Sequence, residues 1–252
     1  MDYTNKTVVI TGAAKGIGAA CANLFYKKGA SVALLDIAND ENKKQDNRWF
    51  YQQCDVSNEE QVKHSMQQLI EKFASINYLI NNAGLQRYGT VTETSLKEWN
   101  AVMNVNLTSM FLCAKYALPS MQKNKSGVVI NVASVQAFIS QDKVAAYTTS
   151  KTAILGLTRS IAIDYAPHIR CVAVCPGTID TPMLRDAIQL SPNPDEVMQE
   201  CINMHLPKRI GTPEEVAALI AFLCSDDAAF ITGTAIRVDG GLGISIGGSK
   251  KE

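Results

Sequence analysis

The sequence lacks most of the features that would tie it to a specialised environment. Its 24 Lys and Arg residues balance 24 Asp and Glu, so no global field draws the chain to nucleic acid or to an anionic membrane surface. No apolar run approaches the length of a bilayer span. Met1 to Lys6 leads straight into a strand pattern without a charged-then-apolar leader, and cytoplasm is the expected location. The seven cysteines (Cys21, Cys54, Cys113, Cys171, Cys175, Cys201 and Cys224) are scattered, odd in number and set mostly among apolar neighbours. That is the pattern of small buried thiols rather than of a disulfide framework. Cys171 and Cys175 share a strand face, but with no second pair and no nearby histidines no metal site is expected. The three histidines, His64, His168 and His205, show no ligand spacing; His64 reads as solvent-facing on a helix and His205 as a surface or packing residue. Repeats and low-complexity tracts are missing too.

What is present is a long alternation. Hydrophobic residues make up 46% of the 252 residues and charged ones 19%, enough for a well-buried core. Short apolar runs at Thr7–Ile10, Ser31–Leu35, Trp49–Tyr51, Tyr78–Ile80, Gly127–Val132, Arg170–Val174 and Ala235–Val238 read as strands. Helix periodicity fills Gly16–Lys28, Asn58–Ala74, Leu96–Lys123, Ala145–Tyr165 and Pro213–Cys224. Strands apolar on both faces, alternating with helices, predict an α/β fold. Its form is a single doubly wound parallel sheet of the Rossmann type over residues 1–241, about seven strands with helices on both faces. Ligands of such sheets bind at the carboxyl ends of the strands. Two segments break the rhythm. Ala38 to Arg48 is short and polar, leaving room for little or no helix in the second crossover. Thr178 to Lys208 is rich in Pro and Met with weak periodicity, and it reads as an irregular substrate lid. Residues 242–252 read as a tail that is flexible unless a partner subunit orders it.

Thr11-Gly12-Ala13-Ala14-Lys15-Gly16-Ile17-Gly18 joins the first strand to the first helix. Glycines there permit a tight turn and let backbone N–H groups approach a pyrophosphate at the positive end of a helix. A plain strand-to-helix turn can also be glycine-rich; position between a strand and an amphipathic helix favours the cofactor reading. Asp36, at the end of the second strand, can accept hydrogen bonds from both hydroxyls of an adenosine ribose and would repel a 2′-phosphate. Lys15 pulls toward that phosphate. A carboxylate beside a dianion costs more than one mobile, hydrated lysine recovers, so NAD is expected over NADP.

Tyr147 and Lys151 lie four apart on a helix and so share a face. A free phenol is a poor base near neutrality, and an ammonium held beside it favours the phenolate. Ser134, at the end of the fifth strand, can hold the reacting oxygen. On an ordinary helix the same pair would be surface decoration; its place after Ser134 in a dinucleotide fold gives it chemical meaning.

In these motifs, together with Asn81-Asn82-Ala83-Gly84, Asn106 and Pro176-Gly177, the sequence resembles the short-chain dehydrogenase/reductase family from Thr7 to about Gly241. The resemblance implies that Tyr147 is the general acid/base, that Lys151 lowers its pKa and binds the nicotinamide ribose, and that Ser134 steadies the substrate oxygen. It implies that Asn106 anchors a proton-relaying water; Asn106 and the Asn81–Gly84 turn could equally serve to hold backbone. Asp55 and Val56 would contact adenine, and Asn82, Ala83 and Gly84 would line the cofactor groove. Ile179 and Thr181 would hold the carboxamide beyond Pro176-Gly177. It also implies a homotetramer built through the helices carrying Asn106 and Tyr147.

Within the family, Ser134-Val135-Gln136-Ala137, the Asp164–Pro167 segment and Thr178-Ile179-Asp180-Thr181-Pro182 are similar to sugar (D-aldohexose-type) dehydrogenases. A sugar needs polar partners, and Gln86, Arg87, Gln136 and Asp180 are the candidates, Gln136 foremost. The expected reaction takes the anomeric hydroxyl of an aldose to a lactone with NAD+. The alternatives are a ketone or 3-oxoacyl-thioester reductase and, in a different class, a non-catalytic dinucleotide sensor.

Overall fold

A computed structural model describes residues 1–39 and 46–244 of the chain. Seven parallel strands form one sheet: β1 Thr7–Thr11, β2 Ser31–Asp36, β3 Trp49–Gln53, β4 Tyr78–Asn81, β5 Gly127–Val132, β6 Ile169–Pro176 and β7 Ala235–Val238. Their order is β3-β2-β1-β4-β5-β6-β7. The chain therefore works outward from β1 to one edge, then returns to β4 and works outward to the other. This reversal beside β1 opens a crevice above the strand ends. The expected doubly wound, Rossmann-type sheet is the one observed.

Alternation on each strand feeds two cores. In β1, Val8 and Ile10 face the helices α1 (Gly16–Lys27) and α8 (Pro213–Cys224), where Phe25, Val216 and Ile220 are fully buried. Val9 faces the opposite side, packed with Met66 and Leu69 of α2 (Glu59–Phe73) and with Leu112 and Cys113 of α4 (Ser109–Lys123). Helix α5 (Ala145–Asp164) covers the same side. Every residue of β1, β4 and β5 is buried, as a central parallel strand requires. The six cysteines outside the 178–208 segment are buried and all seven are free thiols.

The helix expected over Leu96–Lys123 is a rod in three parts: α3 (Leu96–Met103), a π-helical turn at Asn104–Thr108, and α4. Such turns insert one residue into the α repeat and re-aim the side chains they carry. Asn106 sits in this one.

The segment Thr178–Lys208 is not irregular. It holds α6 (Pro182–Ile188) and α7 (Pro194–Met204). Two of its four prolines, Pro182 and Pro194, occupy the first helical positions, where a missing N–H costs nothing. Both ends of the segment meet: Asp180 N–H donates to Gly211 O (2.9 Å) and Gly211 N–H to Thr178 O (2.9 Å). Of the second crossover, residues 40–45 lie outside the described residues, so its expected lack of helix is not addressed over that stretch. Of the tail, Leu242–Ile244 forms a 3-10 turn and the remainder lies outside the described residues.

Candidate active site

A cleft of about 940 Å³ opens over the strand ends. Of the site residues expected from sequence, all but Gly18, Arg87, Asn106 and Asp180 line it. Gly18 and Asn106 are buried beneath it.

The glycine turn is shaped by close approach. A Cβ on Gly12 (φ +62°) would lie 2.8 Å from Ala83 Cα, and one on Gly18 would lie 2.2 Å from Gly12 O. Thr11 Oγ accepts from Asn82 N–H (2.9 Å) and Ala83 N–H (3.0 Å), while the Asn82 amide donates to Thr11 O and Gly12 O (both 3.0 Å). The two backbone turns on either side of the crevice are thus clamped together. Lys15, at the start of α1, makes no side-chain cap, whereas α2, α3, α6 and α8 are capped by Asn58, Ser95, Thr181 and Thr212. An uncapped helix start facing a cleft leaves N–H groups for an anion. Asp36 accepts from Ala14 N–H (2.8 Å) and Ala38 N–H (3.0 Å), one bond to each oxygen, which leaves lone pairs on both. Asp55 Oδ1 accepts from Ser57 N–H (2.9 Å) and hydroxyl (2.7 Å), and Val56 is buried beside it. These residues fit a dinucleotide: a glycine cradle, free amides for the phosphates and a carboxylate for a ribose.

Deeper in, Tyr147 and Lys151 project from the first turns of α5. Lys151 is 4% exposed; its Nζ donates to Val132 O (2.9 Å) and lies 5.6 Å from the Tyr147 ring centroid. Burial pushes the Tyr147 phenol up to about 12, with a hydrogen bond from Ser134 acting the other way and the nearby Tyr88 adding to the rise. Burial also lowers Lys151 to about 8. Desolvation thus drives both groups toward neutrality in the protein alone, against the lowering of Tyr147 by Lys151 expected from their spacing. Ser134 Oγ also accepts from Gln136 N–H (3.1 Å).

Asn106 is fully buried. Its amide donates to Leu85 O (3.0 Å) and Ser150 Oγ (2.9 Å), and its oxygen accepts from Leu85 N–H (2.7 Å). It staples the segment after Gly84 to α5. A Cβ on Gly84 would lie 3.8 Å from both Asn106 Oδ1 and Lys151 Nζ, so the two groups converge there.

Gln86 and Gln136 line the cleft, and the Gln136 oxygen accepts from Thr148 (3.3 Å). Arg87 and Asp180 do not line it. Arg87 is exposed and donates to Gln86 O. Asp180 is committed to a two-bond pair with Arg185 (2.8 and 2.9 Å). Sequence reasoning missed Tyr88, which faces Tyr147, and the cleft-facing residues Met183, Leu184, Val197, Cys201 and Met204 of α6 and α7. It also missed the clamping hydroxyl of Thr11 and a buried chain from Asn81 through Asn131 (2.9 Å) to Thr158 (3.0 Å). An asparagine inside the otherwise apolar run of β5 was the available signal.

A family model described as enoyl-(acyl carrier protein) reductase matches residues 12–243. Dehydrogenase/reductase SDR family member 6 of Danio rerio is 39% identical, covering 94% of this chain and 96% of that one. The chain belongs to the short-chain dehydrogenase/reductase family. It is also 38% identical to meso-2,3-butanediol dehydrogenase of Serratia marcescens, over 99% of both chains. Among solved structures, ligand-free aldohexose dehydrogenase of Thermoplasma acidophilum superposes with a TM-score of 0.94 at 42% identity, covering 99% of this chain and 98% of that one. Members of the family are oxidoreductases that use NAD(P). No helix among the described residues is long and apolar enough to cross a membrane.

Proposed function

We propose that this chain is an NAD-dependent aldose 1-dehydrogenase, in which Tyr147 removes the hydroxyl proton as hydride leaves the same carbon. The observation that carries the proton-transfer reading is the convergence of Ser134, Tyr147 and Lys151 at the floor of one cleft, under a glycine cradle. Bound in that cleft, oxidised nicotinamide supplies a hydride acceptor and a positive charge. Ser134 orients the substrate oxygen toward Tyr147. The Tyr147 phenolate takes the proton, and Lys151, held by Val132 O, stabilises that phenolate and contacts the nicotinamide ribose. Asn106 fixes Leu85 and Ser150 and anchors the water that carries the proton onward. Gly12 to Gly18 hold the pyrophosphate, Asp55 and Val56 the adenine, and Asn82 to Gly84 the groove wall. Pro176, Gly177, Ile179 and Thr181 flank the carboxamide, and the 178–208 segment is the lid.

NAD is favoured because the lone pairs left on Asp36 suit two ribose hydroxyls and would oppose a 2′-phosphate, although Lys15 lines the same cleft. The sugar is supported by the amides of Gln86 and Gln136 and by the similarity to aldohexose dehydrogenase. A panel of hexoses and pentoses, followed by NADH absorbance, tests it; no NADH with any of them would end the sugar assignment. A ratio of kcat/KM favouring NADP would end the NAD one. A second reading, a less polar alcohol or ketone, is favoured by the apolar lid face of Met183, Leu184, Val197 and Met204, and simple secondary alcohols belong in the same panel. A homotetramer formed through α4 and α5 fits the exposure of Phe111 (49%) and Ile163 (77%), and a cytoplasmic site fits the seven free thiols.

A further inference from the structure

His205 ends α7 and is 2% exposed, although it carries a polar ring. Its two nitrogens are used in opposite senses. Nδ1 lies 2.7 Å from Cys201 O in the last turn of α7, and since a carbonyl can only accept, Nδ1 carries the proton. Nε2 is then the acceptor, and it takes the Thr178 N–H at 3.2 Å. Thr178 immediately follows Pro176-Gly177, at the strand end that forms the cleft wall. The ring therefore ties the far end of the lid to the backbone of the cleft across 27 residues of chain.

The slot around the ring is built to admit it. A Cβ on Gly177 would lie 2.9 Å from Nε2, and one on Gly240 (φ +55°) would lie 3.2 Å from Cδ2. A side chain at Gly177 would collide with Nε2, and one at Gly240 would crowd the ring. The helix that His205 ends presents Val197, Cys201 and Met204 to the cleft. A shift at the tie would thus move the substrate wall and the segment Thr178–Thr181 together.

The geometry points to His205 as a positioning residue that holds the lid closed on the cleft only while its ring is neutral. A second proton would turn Nε2 from acceptor to donor, facing the Thr178 N–H donor, and the tie would be lost. Ionisable groups on the surrounding elements leave this logic intact. Asp239, after β7, is already bonded by Gly241 N–H (3.1 Å) and Gly243 N–H (2.9 Å), with Arg237 4.0 Å away. Lys208 donates its ammonium to Asn203 O, and Cys201 lies one turn earlier on α7. The inference rests on the oxidoreductase reading, not on the identity of the alcohol.

Amide exchange of Thr178 in the protein without substrate or cofactor provides the primary test. After correction for intrinsic rates, protection should fall about threefold to tenfold once acidification has added the second proton to the ring, the scale of one lost hydrogen bond. Unchanged protection overturns the proposal whatever the enzyme oxidises. In turnover with NAD and an alcohol that reacts, KM for the alcohol should rise on the acid side. His205→Gln, whose Oε1 can still accept, should keep KM within about threefold of wild type at neutral pH and lose the acid-side rise. His205→Leu should show the raised KM at every pH, by about threefold to tenfold. If His205→Leu lowers only the melting temperature, or His205→Gln retains the acid-side rise, the ring is simple packing and the proposal fails. Tyr147 cannot mimic the differences among these proteins, because it is the same in all three.

Discussion

The floor of the cleft and its lid are built on different principles. On the floor, polar side chains are buried and bonded to fixed backbone: Thr11 to two amides, Asn106 to the N–H and O of Leu85, Lys151 to Val132 O. In the lid, α7 buries no residue, and the ion pair Arg185–Asp180 is exposed. Its cleft face is apolar apart from Glu200. The floor spends stability to hold chemistry in one geometry, whereas the lid helices offer a surface tied to the frame at the neck and at His205. Reaction type should therefore be rigid in this protein and substrate choice pliable.

Several changes would break or sharpen that contrast. Tyr147→Phe should have the largest effect, cutting kcat by about 10²- to 10⁴-fold while leaving NAD affinity unchanged in a fluorescence titration. A non-catalytic sensor would be indifferent to it. Thr11→Val keeps the shape but strands the Asn82 and Ala83 amides, and thermal or urea unfolding should show a loss of about 2 to 4 kcal/mol. Lys151→Met should abolish turnover yet raise stability at neutral pH, on the order of 2 kcal/mol, because a buried charge is removed. The sign follows from the lowered pKa of about 8: the cost of the charge is full below that value and fades as pH rises toward the ordinary lysine range. A gain that persisted at high pH would contradict this cause. By the same logic the raised phenol pKa makes alcohol oxidation climb with pH and carbonyl reduction decline, which initial rates in both directions would show. Smallest of all, Met204→Ala should shift alcohol KM by less than about tenfold and stability by less than about 0.5 kcal/mol. A loss of stability there equal to that of Thr11→Val would erase the distinction.

The same contrast explains what could be read in the chain. The strands and the long helices were visible because each buries a regular set of apolar residues; Val8, Val9 and Ile10 dictate β1 in any context. The strand-end residues were visible because Gly12, Asp36, Ser134, Tyr147 and Lys151 occur at turns whose places those periods define. The lid was opaque. Helices α6 and α7 span only 7 and 11 residues, so no repeat establishes itself, and their prolines mimic breakers. The π-turn at Asn104–Thr108 left no sign either, since it slips the repeat by one residue within an apparently unbroken helix. The electrostatics of the Tyr147–Lys151 pair misled for a different reason. Spacing reveals that two groups share a face but not how much water they lose there.

One consequence of the lid's closed neck remains. Because Thr178 and Asp180 pair with Gly211, the two ends of this excursion are pinned side by side on the frame. Whatever is threaded between them, the frame meets the same pair of anchors, and lengthening a pinned loop adds little entropic cost, roughly 0.6 kcal/mol per doubling. The segment thus behaves as a cassette, which can be grafted from a relative with another appetite while the sheet and its proton-handling residues stay as they are.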